Sequence, residues 1–356
     1  MKPERILVAM SGGVDSSVAA ALLVREGHEV LGATLQLLPC EERPLGPTCC
    51  SLEASMEARR VADRLGIPHC VIDCRREFEE RVLKPSWAEY ARGRTPSPCI
   101  LCNQEIKFGF LRERAAALQA AAIATGHYAR VAPSPSGRSS LWRGRDPLKD
   151  QSYFLFSIGS EGLGRVRFPL GEMTKKEVRA IARELQLPTA DRAESQDACF
   201  VSSEDGFAES LRLRFDQPAR PGDLVSPDGR RLGRHGGIHR FTIGQRSGLG
   251  VSLGARAFVS AIRPESAEVV VTTRPGELDS IGARVRLAAP LGTGPLRCLV
   301  QIRSRHKATP ATVEAGAGGE ARVLFSAPQR SVTPGQAAVF YQGDQVLGGG
   351  WIEEAF

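Results

Sequence analysis

The chain has 356 residues, 42% of them hydrophobic and 24% charged. That length suits two or three domains with a sizeable core, and the absence of an apolar run as long as a bilayer crossing argues against a membrane-spanning protein. A net charge of +7 suits a polyanionic partner without requiring one.

A strand is expected as early as Arg5, which leaves no room for a signal or transit peptide. A cytoplasmic location is therefore expected, and the nine cysteines read as thiols, not as a disulfide framework. Residues 6–9 read as a strand and 16–25 as a helix with Val18, Leu22 and Leu23 on its apolar side. Strand 29–37 follows, then helix 51–65 with Met56, Val61 and Leu65 apolar. Next come a buried strand at 69–73, with Cys70 and Cys74 as packing residues, a helix at 106–118 and a strand at 121–125. This alternation predicts an α/β domain with a parallel sheet and helices on both faces. Ligands of such sheets sit at the carboxyl ends of the strands.

Thr174 and Glu177 have the spacing of a capping box, and Pro188 ends the helix they begin. From about Gly206 the pattern changes to glycine, proline and short alternating strands, which predicts a small mixed domain and then a compact β-barrel. Cys298 falls inside one of those strands. The expected domains are 1–205, 206–278 and 279–356. The stretch 230–246, RRLGRHGGIHRFTIGQR, carries arginines and no acid; it reads either as a solvated face or as a nucleic-acid contact.

Between the first strand and helix lies AMSGGVDSS. Gly12 and Gly13 permit a tight path, Ser11, Ser16 and Ser17 offer hydroxyls, and the helix start favours an anion. A Walker loop needs a lysine followed by serine or threonine, and none is present. Asp15 would repel phosphate, so its expected partner is a nucleotide-borne Mg²⁺. Further on, SPCILCNQEIKF places Cys99 and Cys102 before a helix, a setting that activates thiols. Cys199 follows a polar loop in ESQDACFV. Cys40, Cys49 and Cys50 lie in a proline-containing loop as metal ligands or as bystanders.

SGGVDSS resembles the signature of the PP-loop ATP pyrophosphatases. The ordered set SGGVDSS, LCNQEIKF, ATGHYAR, KDQSYFL and SQDACFV, continued by HRFTIGQRSGLG, VQIRSRH, TPGQAAVFY and LGGGWIE, is similar to the tRNA-specific 2-thiouridylases (the MnmA/TrmU family) over nearly the whole chain. The resemblance implies a PP-loop domain, a small central tRNA-contacting domain and a C-terminal β-barrel. It implies ATP-dependent sulfur insertion at position two of the wobble uridine of lysine, glutamate and glutamine tRNAs, the base being flipped out of the anticodon loop. Ala9, Met10, Ser11, Gly12, Gly13, Val14, Asp15 and Ser16 would hold ATP, with Leu35 against the adenine and Gly126 beside the nucleotide. Cys102 matches the catalytic cysteine, and Cys199 the one that takes persulfide sulfur from a donor or relay protein. Ser97, Pro98, Cys99, His127, Lys149, Asp150, Gln151, Arg303, Ser304 and Gln336 fall at tRNA-contact positions. Many family members have aspartate where this chain has Cys99. Cys99, Cys102 and Cys199 would then supply three ligands of a 4Fe-4S cluster, an alternative to the persulfide route. A different PP-loop adenylating enzyme is the remaining rival.

Overall fold

The computed structural model describes residues 2–39, 52–133, 137–192, 206–292 and 294–356. They fall into two compact units. The first comprises Met1–Val82, Cys99–Glu204 and Asp344–Val346, and the second Leu83–Pro98, Asp205–Gly343 and Leu347–Phe356.

The first unit opens with β1 (Arg5–Ala9), α1 (Val14–Arg25), β2 (Glu29–Gln36), α2 (Leu52–Leu65) and β3 (His69–Asp73). β4 (Ala122–Thr125), the hairpin β5 (Ala129–Pro133) and β6 (Ser139–Arg143), and β7 (Val166–Arg167) follow. β1 pairs in parallel with both β2 and β4, and the sheet order is β3-β2-β1-β4-β7. The expected parallel sheet is thus present with β1 near its centre, which is why Ile6, Leu7 and Val8 are fully buried. Ala19, Ala20 and Ala21 are buried as well, so α1 packs closely with Val61 of α2 and Val178 of the helix Lys175–Glu184 in one core. That last helix begins with the expected capping box between Thr174 and Glu177, a device worth about 1 kcal/mol.

Three expectations change. The β3 strand is not buried: it is the sheet edge, Val71 is 53% exposed and Cys70 is exposed. Cys74 just beyond it is buried, as a packing thiol should be, and burial pushes it up to about 12. In α2 the buried stripe is Ala54, Ala58, Val61 and Ala62, while Met56 is exposed; small residues, not the longest apolar ones, face the sheet. The helix expected at 106–118 starts much earlier. It runs from Pro98–Leu101 through a π-wound stretch, Cys102–Phe110, into Leu111–Ala117.

In the second unit, β8 (Gly222–Val225), β9 (Arg231–His235), β10 (Phe258–Arg263) and β11 (Glu268–Thr272) form a sheet of order β10-β11-β8-β9. It is packed on Leu224, Ile238, Phe241, Val259 and Val269. The helices Lys84–Ala91 and Phe207–Arg214 accompany it, with Trp87 edge-on to His239 and the buried Glu209 bonded to His239 and Arg212. β12 (Asp279–Leu287), β13 (Leu296–Gln301), β14 (Thr309–Ala315), β15 (Glu320–Arg330), β16 (Ala337–Gln342) and β17 (Gln345–Ala355) follow. They run β12-β15-β14-β13-β16-β17, and β12 also pairs with β17, which closes an antiparallel barrel around Val285, Val300, Val323, Phe340 and Ile352. Cys298 on β13 is half-buried and pushed up to about 11 by desolvation. Among the described residues no helix is long and apolar enough to cross a membrane.

Burial holds His69, His127, His235, His239 and His306 below their ordinary 6.5. The unfolded chain therefore binds more protons than the folded one just below that value, and stability must fall as pH drops through it. Glu209 is held at about 2, first by its hydrogen bond from Arg212. Its contribution is full above the ordinary carboxylate value and is lost as pH falls toward 2. Thermal melts are expected to show a first decline starting near pH 6.5 and a second below 4.5; a flat melting temperature from neutrality to pH 5 would contradict the histidine assignment.

Candidate nucleotide site and cysteine helix

The loop between β1 and α1 is shaped by two close backbone approaches. Gly12 has φ +68, and a Cβ there would lie 2.2 Å from the carbonyl oxygen of Ala54. A Cβ on Gly126, just past β4, would lie 2.6 Å from the backbone nitrogen of Ser16. Neither position tolerates a side chain without moving the loop. Gly13 precedes the helix in extended conformation, and no side chain caps the start of α1. The helix therefore presents backbone N–H groups of its first turn to whatever sits before it. Val14 is buried beneath.

The hydroxyls do less than the sequence suggested. Ser16 and Ser17 both donate to the Gly13 carbonyl, at 3.1 and 2.8 Å, and Ser16 Oγ accepts from Ser11 N at 3.1 Å. They hold the turn's shape, and Ser17 is fully buried.

At the carboxyl ends of β1, β2 and β4 lies a cavity of about 210 Å³. Ala9, Met10, Ser11, Asp15, Ser16, Leu35 and Gly126 line it, together with Lys107, Thr125, His127 and Gln151. The structure thus brings together most of the residues expected at ATP, while Gly12, Gly13 and Val14 shape the turn from outside the lining. His127 lines the same cavity. Its Nδ1 is 2.7 Å from Thr125 Oγ1, its ring meets Phe108 and Phe168, and burial, then the charge of Lys107, holds it well below the ordinary histidine value.

Asp15 differs most from expectation. Lys175 Nζ donates to both of its carboxylate oxygens at 2.8 Å, and the Tyr128 hydroxyl donates to Oδ1 at 2.7 Å. Arg192 donates to the Gly12 carbonyl at 2.9 Å. The cation absent from the loop itself is delivered from a helix start far along the chain. Sequence reasoning missed Lys175, Tyr128 and Lys107. The capping box at Thr174 marked the place of the first, and EIKF that of the last.

Cys99 and Cys102 sit three residues apart in the helical run, which puts them on neighbouring positions of one face. Cys102 is buried one turn inside the run, not at its first residue, and Cys99 is half-buried. Cys199 lies outside the described residues, as do Cys40, Cys49 and Cys50.

The remaining tRNA-contact expectations have evident structural partners. Asp150 Oδ1 accepts from Gly144 N and Ser152 N, and its Oδ2 from Arg143 and Ser152 Oγ. Gln151 Oε1 accepts from Tyr128 N, and Gln151 N donates back to Tyr128 O. Lys149 N closes the turn onto Asp146 O. Ser97, Pro98, Arg303, Ser304 and Gln336 belong to the second unit. There Gln336 Nε2 donates to the carbonyls of Thr95 and Pro96, both at 3.1 Å, and fixes the segment that leads into Ser97. Arg303 donates to Arg330 O, and Ser304 O accepts from Gln301. A larger groove of about 520 Å³ lies on the barrel, where Arg284 pairs with Glu354 and Arg322 lies over the Phe356 ring.

A parallel sheet whose central strand passes through a glycine turn into an uncapped helix, with a cavity at the strand ends, defines a nucleotide-handling α/β protein of the PP-loop class. Family models described as a tRNA methyl transferase HUP domain, PRC-barrel domain and aminomethyltransferase beta-barrel domain match residues 4–203, 213–273 and 281–352. A tRNA-specific 2-thiouridylase MnmA of Carboxydothermus hydrogenoformans is 46% identical over 99% of this chain and 98% of its own length. One of Geobacter metallireducens is 45% identical over 99% and 97%. Among solved structures, an NMN synthetase from Francisella tularensis aligns over 61% of this chain and 79% of its own at 17% identity, with a TM-score of 0.35. The chain belongs to the family of tRNA-specific 2-thiouridylases.

Proposed function

We propose that this protein is a tRNA-uridine 2-sulfurtransferase that uses ATP to activate the C2 carbonyl of a wobble uridine and replaces its oxygen by sulfur. The observation that carries the reading is the juxtaposition, within one unit, of the glycine-shaped loop cavity and the helix bearing Cys99 and Cys102. The family models' descriptions speak of methyl transfer, whereas the relatives are named for thiolation; two cysteines on one helix face favour sulfur. A carbonyl oxygen is a poor leaving group, and its adenylation makes AMP the leaving group. The N–H groups of the first turn of α1 can hold phosphate, and His127 lines the same cavity. Mg²⁺ would supply charge on the phosphates, with Asp15 as the protein's carboxylate.

In the persulfide route, the outer sulfur on Cys199 attacks C2 and AMP departs. The Cys102 thiolate then attacks the inner sulfur, the S–S bond breaks toward the base, and a Cys102–Cys199 disulfide remains for reduction by an external thiol. A sulfur donor or relay protein loads Cys199. In the second route, Cys99, Cys102 and Cys199 would hold an iron–sulfur cluster whose open iron accepts sulfide; the common helix face of Cys99 and Cys102 favours keeping it.

The deciding experiment follows ATP and tRNA together. Conversion of ATP to AMP that requires tRNA, with 2-thiouridine in the digested product, is expected. Conversion with an amino acid or amine in place of tRNA would favour another adenylating enzyme of the same class. We further infer that Lys149, Arg303 and the arginines of 230–246 face tRNA phosphates. Affinity should then fall steeply with salt, and each neutralised contact should reduce the slope by about 1. Indifference to both salt and substitution would remove this surface from binding.

A further inference from the structure

We propose that Lys175 is a resident counter-ion of the loop: its ammonium occupies Asp15 until a metal-bound nucleotide arrives, then transfers to the phosphate. The inference rests on reading the cavity as an ATP site.

Among the described residues lining the cavity Asp15 is the one carboxylate, and so the one anionic side chain offered to a nucleotide-borne Mg²⁺, beside the hydroxyls of Ser11, Ser16 and Thr125. One carboxylate plus substrate phosphates is an ordinary ligand set for that ion. Yet both oxygens of Asp15 are held by Lys175 Nζ at 2.8 Å, and an ammonium that close repels a divalent metal seated on the same carboxylate. Ion pair and metal binding are therefore alternatives. A polyphosphate approaching an Asp15 stripped of both partners would meet like charge.

The construction favours exchange over a permanent tie. The backbone at Lys175 is fixed: its N–H donates to Asp146 Oδ2 at 2.9 Å, and the capping box anchors Thr174 beside it. Only the flexible side chain has to move. Its side chain is 12% exposed, and the ammonium lies 5.9 Å from the centroid of the Tyr128 ring, whose face attracts a cation. Tyr128 also keeps a hydrogen bond on Asp15 Oδ1, so the carboxylate stays aimed when the lysine leaves. A lysine belonging to the loop, as in a Walker motif, would have no such second position.

The test uses the full chain and two probes: Mn²⁺ alone, followed by its electron paramagnetic resonance, and ATP with Mg²⁺, followed by calorimetry. Lys175→Met is expected to bind Mn²⁺ without nucleotide at least tenfold more tightly than the parent, and Mg·ATP at least tenfold more weakly. A purely structural tie predicts a lower melting temperature and no gain in Mn²⁺ binding, and that result overturns the proposal. If Lys175→Met does not fold, Lys175→Arg decides. It keeps the pair but not a mobile point charge, so parent-like Mn²⁺ binding with weakened Mg·ATP binding is expected, and parent-like Mg·ATP affinity overturns the proposal. If the parent itself binds no ATP, the reading of the cavity fails and this inference falls with it; a parent that binds ATP normally confines any failure to Lys175.

Discussion

Asp15→Ala is expected to lower AMP formation by roughly 10²-fold to 10³-fold or more, the range for losing a group that organises charge in a reacting centre. Affinity for tRNA should stay nearly intact, because Asp15 lines the loop cavity and is engaged there by Lys175 and Tyr128 of the same unit. Folding should suffer less. The carboxylate is a third exposed, so breaking its pair costs about 1–2 kcal/mol, below the figure for a fully buried pair. Asp15→Asn controls for this by retaining an acceptor for Tyr128. Release of pyrophosphate is the measurement, and release at the parent rate in both variants would take the loop out of the reaction.

Cys99→Ala separates the two sulfur routes. In the persulfide route it is dispensable, because Cys102 and Cys199 pass the sulfur and close the disulfide. In the cluster route it is one of three protein ligands, and its loss should release iron. We expect anaerobically reconstituted protein to show the broad visible absorption of an iron–sulfur centre, and Cys99→Ala to lose both absorption and thiolation. Cys102→Ala should lose thiolation by either route. Thiolation by Cys99→Ala at the parent rate from a persulfide donor would leave Cys99 a bystander and end the cluster reading.

The features legible in the sequence are those written locally. A strand, a glycine pair and a helix in immediate succession give the loop, and alternating patterns give the parallel sheet and the barrel. Thr174 and Glu177 announce a helix start because both halves of that device lie within one turn. What was not legible depends on partners remote in the chain. The Asp15–Lys175 pair spans 160 residues, and a lysine in TKKE looks like any solvated charge. The run HCVID reads as a buried strand because a short apolar run looks the same at the edge of a sheet as at its centre. Only the pairing of β2 with β1 on its other side leaves β3 outermost. Likewise, the buried alanines of α2 follow the same helical period as a larger apolar stripe, but their small side chains carry little weight in a reading by hydrophobicity.

The π-wound stretch Cys102–Phe110 makes chain length itself a determinant of the site. Its hydrogen bonds join residues five apart, the interval between Cys102 and the cavity-lining Lys107. In an ordinary α-helix, each residue added or removed turns everything beyond it by about 100°. A lineage that lost one residue here would rewind the helix, and Cys102 and Lys107 would lose their present spacing around it. No exchange of one side chain for another could restore it. The remedy would have to be an insertion, so mutational drift by substitution can explore the chemistry of this helix while its phase stays locked.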